Sequence, residues 1–245
     1  MVFSTIIFLF RFLPITLALY YLAPAKLKNT VLFLCSLVFY CWGEVRFFPV
    51  MVALILINYI SGLCIEHFDQ KPALRRTFLL VALIGSLGML FYFKYANFVL
   101  RSANALLGTA FAEIQGIGTL PLGISFYSFA AISYLIDAAR GDCEVEKNFI
   151  DCALFLNFFA TVTQGPICRA GALLPQFKEE HRFDAARTVR ALRLMALGLF
   201  KLVAVSDVLG LLVDEVFPNY RSYGGPMLVL AAVFYTFQLY FNFSG

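Results

Sequence analysis

Long apolar runs separated by short polar segments dominate this chain. The runs cover residues 2–22, 30–42, 47–65, 77–100, 121–136, 149–163, 189–213 and 226–243. A helix needs roughly 20 apolar residues to cross a bilayer, and continuous runs lack the alternation of a membrane β-barrel. The pattern therefore predicts an all-α, polytopic membrane protein with six to eight membrane segments.

Three of these runs are short for a crossing. Run 30–42 is long enough only if it extends through residues 43–46, and runs 121–136 and 149–163 are shorter than a plain span. Such segments are tolerated at membrane depth where protein buries them or a cavity hydrates them. We therefore expect re-entrant or buried helices there, within a single membrane domain over residues 1–245.

The composition agrees with a membrane location. Hydrophobic residues make up 61% of the chain and charged residues only 14%, whereas a soluble domain carries about 25% charged residues. The net charge of +4 is small, so membrane lipid is the expected partner and nucleic acid is not. Arg11 lies within the first run, which lacks the cleavage pattern of a signal peptide, so this run predicts a retained span.

Basic residues suggest an orientation. If runs 30–42 and 47–65 both cross, the basic loops 24–29 and 66–76 lie on one side, which the positive-inside rule makes cytoplasmic. The N-terminus then faces outward, but the argument fails if run 30–42 is re-entrant. A further basic stripe, spaced by three, is typical of a surface that faces lipid headgroups: Arg187, Arg190 and Arg193.

The cysteines and histidines assign no chemistry. No CxxC pair occurs, so we expect small apolar filler and no metal site from Cys35, Cys41, Cys64, Cys143, Cys152 and Cys168. His67 and His181 lie in polar loops and are predicted to be solvated. The sequence contains no HExxH, phosphate-loop or dinucleotide-binding motif.

Charges within apolar sequence usually face a bundle interior or a water-filled cavity. In FYFKYANF, Lys94 is either a cation facing a cavity or an interfacial lysine in an aromatic belt. In LPLGISFYSFAAISYLIDAARG, Asp137 and Arg140 lie three apart and can pair on one helix face. The serines of this segment either line a polar interior or permit close helix packing.

The segment TQGPICR, residues 163–169, interrupts another apolar run. Gly165 and Pro166 do not support a continuous helix, so the backbone is predicted to open here. Arg169 then lies beside freed amides and is suited to contact an anion. The alternative is an ordinary helix end with a snorkelling arginine.

Six segments occur in an order that resembles the membrane-bound O-acyltransferase superfamily, specifically its alginate O-acetyltransferase branch. They are MVFSTIIFLFRFLPITLALYYLAP, FYCWGE, FYFKYANF, LPLGISFYSFAAISYLIDAARG, TQGPICR and FYTFQLYFNFSG. The chain also resembles, more distantly, the D-alanyl transfer protein of teichoic acid synthesis. The resemblance extends over essentially the whole chain.

The resemblance implies a helical bundle around a polar tunnel or funnel that transfers an acyl group to a hydroxyl of a secreted or cell-surface polysaccharide. It implies acetyl-CoA or a carrier-linked acyl thioester as donor substrate, no bound cofactor, polysaccharide-modifying partner proteins, and a multi-pass location in the bacterial inner membrane. The family's catalytic histidine follows the motif that ends here as FNFSG. It lies beyond Gly245, so we expect this chain to be the N-terminal half of a longer enzyme and inactive alone.

The chain departs from the family pattern at two polar positions, which puts donor or acceptor handling in doubt. Gln164 stands where the family usually has alanine, and Asn242 where it usually has aspartate. No catalytic residue and no metal ligand is predicted within the chain. The residues predicted to line the tunnel or to carry family motifs are Lys94, Asp137, Arg140, Gln164, Arg169 and Asn242.

Two other functions fit the same features. A transporter also uses broken helices and interior charges, although no inverted repeat is visible. A non-catalytic scaffold would keep the family's shape and act through partner proteins. Labelling by an acyl donor without solute flux would separate the enzyme from the transporter.

Overall fold

A computed structural model of the chain describes residues 3–109, 112, 114, 120–163 and 165–245. Across these residues the regular structure is helical, which confirms the predicted all-α class. The α-helices are α1 (Leu13–Leu22), α2 (Lys28–Glu44), α3 (Phe48–His67), α4 (Pro72–Leu107), α5 (Ile124–Arg140), α6 (Phe149–Asn157), α7 (Ala170–Lys178), α8 (Ala185–Leu199), α9 (Asp207–Val216) and α10 (Gly225–Ser244).

Four helical stretches of the described residues are long and apolar enough to cross a membrane: Ala25–His67, Pro72–Leu107, Ala185–Val216 and Gly225–Ser244. A shorter apolar helix covers Phe8–Leu22. The first stretch contains both run 30–42 and run 47–65, with a 3₁₀ turn at Val45–Phe47 between α2 and α3. The protein is therefore a helical membrane protein, while the number of crossings stays a prediction.

Proline and glycine explain several helix boundaries. Pro14 has no N–H to bond the carbonyl of Phe10, and the preceding turn widens into a π-helical turn at Phe8–Phe12. The helix α4 begins with Pro72, where a missing N–H costs little, and ends at Gly108, whose φ is +64°. Pro72 and Gly108 lie outside run 77–100, and α4 is therefore longer than that run.

The chain forms two compact units. The first contains residues 15–180, and the second contains residues 3–14 and 181–245. The single domain expected from the sequence therefore stays a prediction. Each unit is described by itself below.

The first unit has the larger buried core. In this unit α2 packs against α6, α4 packs against α5, and α3 packs against α4, α5 and α6. The short helix α7 packs against both α5 and α6. Every residue of α6 from Asp151 to Asn157 is buried, and α5 buries one face that includes Tyr127 and Leu135. The two short runs therefore form buried helices, as expected.

In the second unit α9 packs against α10, and a π-helical segment at Phe200–Ser206 joins α8 to α9. The Ser206 hydroxyl donates to the Gln238 carbonyl at 2.9 Å. Most apolar side chains of α8 and α10 are exposed, as expected for helices that contact lipid.

Candidate functional site

Polar side chains of the first unit gather around the loop that joins α5 to α6, residues 141–148. Asp137, in the last turn of α5, accepts hydrogen bonds from Nη1 of Arg169 at 2.7 and 3.0 Å. The Asp137 side chain is only 8% exposed, whereas that of Arg169 is 69% exposed. The ion pair therefore ties the segment that precedes α7 to the end of α5.

A second buried carboxylate belongs to Glu146 in this loop. It accepts hydrogen bonds from Nζ of Lys178 at 2.8 Å and from the backbone N–H of Asn148 at 3.0 Å. The backbone N–H of Glu146 donates to the Tyr134 hydroxyl at 2.9 Å. The bond to Glu146 raises the pKa of Lys178 above its ordinary value.

The same region links three helices through Asn29, the second residue of α2. Its side-chain amide donates to Asp151 at 2.8 Å and to the carbonyl of Phe177 at 2.9 Å. Asp151 lies in the first turn of α6, and Phe177 lies in the last turn of α7. This polar end of the first unit is therefore a connected network rather than a set of isolated surface charges.

Close backbone packing forms a second feature, at the start of α5. Gly123 has a φ of +69°, and a Cβ there would overlap the carbonyl oxygen of Val162. A Cβ on Gly165 would lie 2.6 Å from the carbonyl oxygen of Ala160. The backbone runs without helix from residue 165 to Arg169, which confirms the predicted opening at Gly165 and Pro166.

The interior of the first unit contains polar groups that lack a protein partner among the described residues. They include the hydroxyl of Ser128 and both amide atoms of Asn157, and both residues are 0% exposed. In contrast, the buried Ser36 hydroxyl donates to the Leu32 carbonyl at 2.8 Å and accepts from the N–H of Phe159 at 3.1 Å. The first unit therefore has a partly polar core, while the role of the α5 serines, polar lining or close helix packing, stays a prediction.

The predicted site residues are not all brought together. The prediction that Asp137 pairs with Arg140 is wrong: Asp137 pairs with Arg169, which directly precedes α7, and Arg140 is exposed at the end of α5. Lys94 is exposed, and its Nζ lies 5.5 Å from the centroid of the Tyr95 ring, as expected of an interfacial lysine.

For two further candidates, the predicted tunnel-lining role stays a prediction. Asn242 is exposed on α10 in the second unit. Gln164 lies outside the described residues. No role as a tunnel-lining residue is assigned to either by the geometry.

Two of the charges inside run 189–213 received no role from the sequence alone. Nζ of Lys201 donates to the Ser244 hydroxyl at 3.0 Å and so connects the π-helical segment to the end of α10. Asp207 is exposed at the start of α9, seven residues before the next carboxylate, Asp214. A search for single charges within each apolar run would have found both.

The loop also holds a thiol. Burial, followed by the nearby carboxylates of Asp137 and Asp142, raises the pKa of Cys143 to about 11. This thiol is therefore neutral near pH 7 and a poor nucleophile. Among the described residues, no group of three or more His, Cys, Asp or Glu side chains is placed to hold a metal ion.

The apolar helices and their polar, partly buried junctions define the chain as an integral membrane protein built from helices. Its sequence is 39% identical over 251 residues to a probable alginate O-acetylase AlgI of Azotobacter vinelandii, covering 100% of this chain and 49% of that protein. It is 38% identical over 248 residues to a probable alginate O-acetylase AlgI of Pseudomonas aeruginosa, covering 100% of this chain and 47% of that protein.

A peptidoglycan O-acetyltransferase of Helicobacter pylori is 30% identical over 276 residues, which cover 100% of this chain and 52% of that protein. No family model and no solved structure matches the chain. The chain spans about half the length of the curated relatives it matches. The resemblance to the alginate O-acetyltransferase branch of the membrane-bound O-acyltransferases is therefore confirmed.

Proposed function

We propose that this chain is the membrane-embedded frame of an enzyme that O-acetylates a secreted or cell-surface polysaccharide. The observation that carries the proposal is its similarity, along its whole length, to relatives named as alginate and peptidoglycan O-acetylating proteins. The apolar helices support a membrane location, and a multi-pass arrangement in the bacterial inner membrane is part of the proposal.

The proposed reaction is acyl transfer. An acceptor hydroxyl of the polysaccharide attacks the carbonyl of an acyl thioester or of a relayed acyl group, and a general base removes the hydroxyl proton. The carbon–sulfur bond of a thioester donor breaks, and the thiol leaves. Acetyl-CoA or a carrier-linked acyl thioester is the proposed donor.

This chain is not proposed to supply the base. The resemblance implies a histidine that follows the FNFSG motif, and neither His67 nor His181 occupies that position. We assign the chain a positioning role instead. Asp137 and Arg169 fix the segment before α7, and the exposed remainder of the Arg169 guanidinium is free to contact an anionic part of the donor.

The proposal extends to the surroundings of the site. Lys94, Arg140, Gln164 and Asn242 are proposed to line the substrate route or to hold the helices that form it. Polysaccharide-modifying proteins are the proposed partners, because a membrane-bound transferase must deliver the acyl group to a polymer outside the cell.

The experiment is a genetic one. The gene that encodes this chain is deleted, and the acetyl content of the cell's extracellular and wall polysaccharides is measured by proton NMR. We expect the acetyl content to fall, the gene read through to its stop codon to restore it, and codons 1–245 alone not to restore it. An unchanged acetyl content after deletion would refute the proposed function.

The same strains distinguish the alternatives. A scaffold is favoured if the gene ends at codon 245 and the acetyl content still depends on it. A transporter is favoured if deletion abolishes uptake or export of a solute while membranes still transfer acetyl groups to added polysaccharide. Restoration by codons 1–245 alone would refute the expected inactivity of this chain.

A further inference from the structure

Three arginines form an exposed stripe on α8, at the start of the long helix Ala185–Val216. The stripe consists of Arg187, Arg190 and Arg193, and all three are exposed. Because helix neighbours three residues apart lie on adjacent turns, the three guanidinium groups follow one side of the helix. The stretch from Ala185 to Arg193 contains no acidic residue.

Among the described residues, the arginine stripe lacks anionic partners, unlike the cations that form ion pairs in the first unit. In the first unit Arg75, Lys147, Lys178 and Arg169 each form an ion pair with a carboxylate. None of the ion pairs formed by the described residues includes a member of the stripe. Three charges this close together repel one another, so an external anion would lower the free energy of this surface.

The position of the stripe along the helix indicates what kind of anion it binds. Residues 194–200 of this helix carry no charged or polar side chain, and Leu194 and Leu197 are 67% and 51% exposed. The six steps from Arg187 to Arg193 rise about 9 Å along the helix. That height matches the headgroup layer of one leaflet, roughly 5–8 Å thick.

We propose that the arginine stripe binds the phosphate groups of anionic phospholipids and so fixes the depth of this helix in the membrane. Arginine suits this role because its planar guanidinium can donate two parallel hydrogen bonds to a phosphate. The apolar side chains that begin at Leu194 then lie against the acyl chains of the same lipids. This role is independent of the acyl-transfer reaction.

A local fluorescence reporter tests the proposal. The single tryptophan is removed by Trp42→Phe, and a new one is placed by Leu197→Trp, one turn beyond Arg193 and on the same side of the helix. The full chain is reconstituted in phosphatidylcholine vesicles, and quenching by brominated phosphatidylglycerol gives its association constant relative to brominated phosphatidylcholine. We expect a clear preference for phosphatidylglycerol that weakens in 0.5 M salt, since salt screens exposed charges.

Three variants decide the outcome. The triple variant R187Q/R190Q/R193Q is expected to lose the preference by about fivefold or more, and R187K/R190K/R193K is expected to retain part of it. A control with the same loss of charge, K26Q/K71Q/R76Q, is expected to keep it. An unchanged preference in the glutamine variant, or an equal loss in the control, overturns the proposal. If the two brominated lipids quench the reporter equally in the protein with all three arginines, the proposal is also overturned, and an acidic protein partner is indicated instead.

Discussion

At the scale of single residues, Asp137 and Arg169 contribute unequally to their ion pair because only Asp137 is buried. Arg169→Gln leaves a buried carboxylate without its cation and is expected to lower the free energy of unfolding by about 1–3 kcal/mol. Asp137→Asn leaves only an exposed arginine and is expected to cost less. Unfolding in mixed detergent micelles measures both, and an equal or larger loss for Asp137→Asn would contradict this account.

Two buried serines provide a matched test of the polar core. Ser36 makes two hydrogen bonds, and Ser128 makes none to the described residues, although both are 0% exposed. Ser36→Ala is expected to lower the free energy of unfolding by about 1–3 kcal/mol, because it leaves the N–H of Phe159 unpaired. Ser128→Ala is expected to be neutral or stabilising.

The serine pair is measured in the same micelles. If Ser128→Ala lowers the free energy of unfolding as much as Ser36→Ala does, the Ser128 hydroxyl forms a hydrogen bond in the folded protein. The core would then be hydrated or would bind a polar molecule at this point.

The pair formed by Lys178 and Glu146 predicts a pH dependence. Because Glu146 raises the pKa of Lys178, the stabilisation is complete below the unfolded pKa of lysine, about 10.4, and is lost as the pH rises through the folded pKa. The difference in unfolding free energy between the unmodified protein and Lys178→Met is therefore expected to be constant from pH 7 to 9 and to shrink above about pH 10.

Lys147→Met is the control, because the partner of Lys147 is itself exposed: the Glu66 side chain is 44% exposed, against 5% for Glu146. The control is expected to have a smaller effect than Lys178→Met at pH 7. A difference for Lys178→Met that grows above pH 10 would contradict the assigned sign.

At the scale of elements, two glycines are expected to respond in opposite directions to alanine. Gly123 has a φ of +69° and no space for a Cβ, so Gly123→Ala is expected to destabilise the start of α5 by more than about 1 kcal/mol. Gly88 lies within α4 with open space around it, so Gly88→Ala is expected to stabilise by up to about 1 kcal/mol. Thermal unfolding in detergent measures both. Tolerance of Gly123→Ala would contradict the close backbone packing before α5, and destabilisation by Gly88→Ala would contradict the open space around Gly88 in α4.

The continuous apolar runs were sufficient to predict the long helices, because length and hydropathy are properties of the local sequence. The short length of runs 121–136 and 149–163 predicted re-entrant or buried helices, and the structure has the buried helices α5 and α6 there. The apolar runs did not predict the π-helical segment at Phe200–Ser206, whose apolar residues differ little from the α-helix on either side. Widened turns of this kind depend on backbone strain and packing rather than on residue type.

The polar contacts between helices also could not be predicted from local sequence. Spacing within a helix suggested Asp137 and Arg140, but the actual partner, Arg169, is 32 residues away in sequence. The connection of Asn29 to α6 and α7 spans more than 120 residues and has no signal in any local pattern. Pairs between residues far apart in sequence therefore could not be predicted from local patterns. Each of these residues nevertheless lies at a polar segment where a helix begins or ends.

At the scale of the whole molecule, the chain joins a polar, well-connected unit to a second unit of long, exposed apolar helices. Its relatives are about twice its length. The resemblance, and not the geometry, assigns acyl transfer. The structure instead shows how Asp137, Glu146 and Asp151 connect the short helices of the first unit.

The central proposal is that this chain positions substrates for polysaccharide O-acetylation and does not perform the transfer alone. The most direct measurement is transfer of radiolabelled acetyl groups from acetyl-CoA to added polysaccharide by isolated membranes. We predict transfer by membranes that carry the product of the gene read to its stop codon, strong loss of transfer in its Arg169→Gln form, and none by membranes that carry residues 1–245 alone. Transfer by residues 1–245, or none by the product of the whole gene with any polysaccharide of the host, would contradict the proposal.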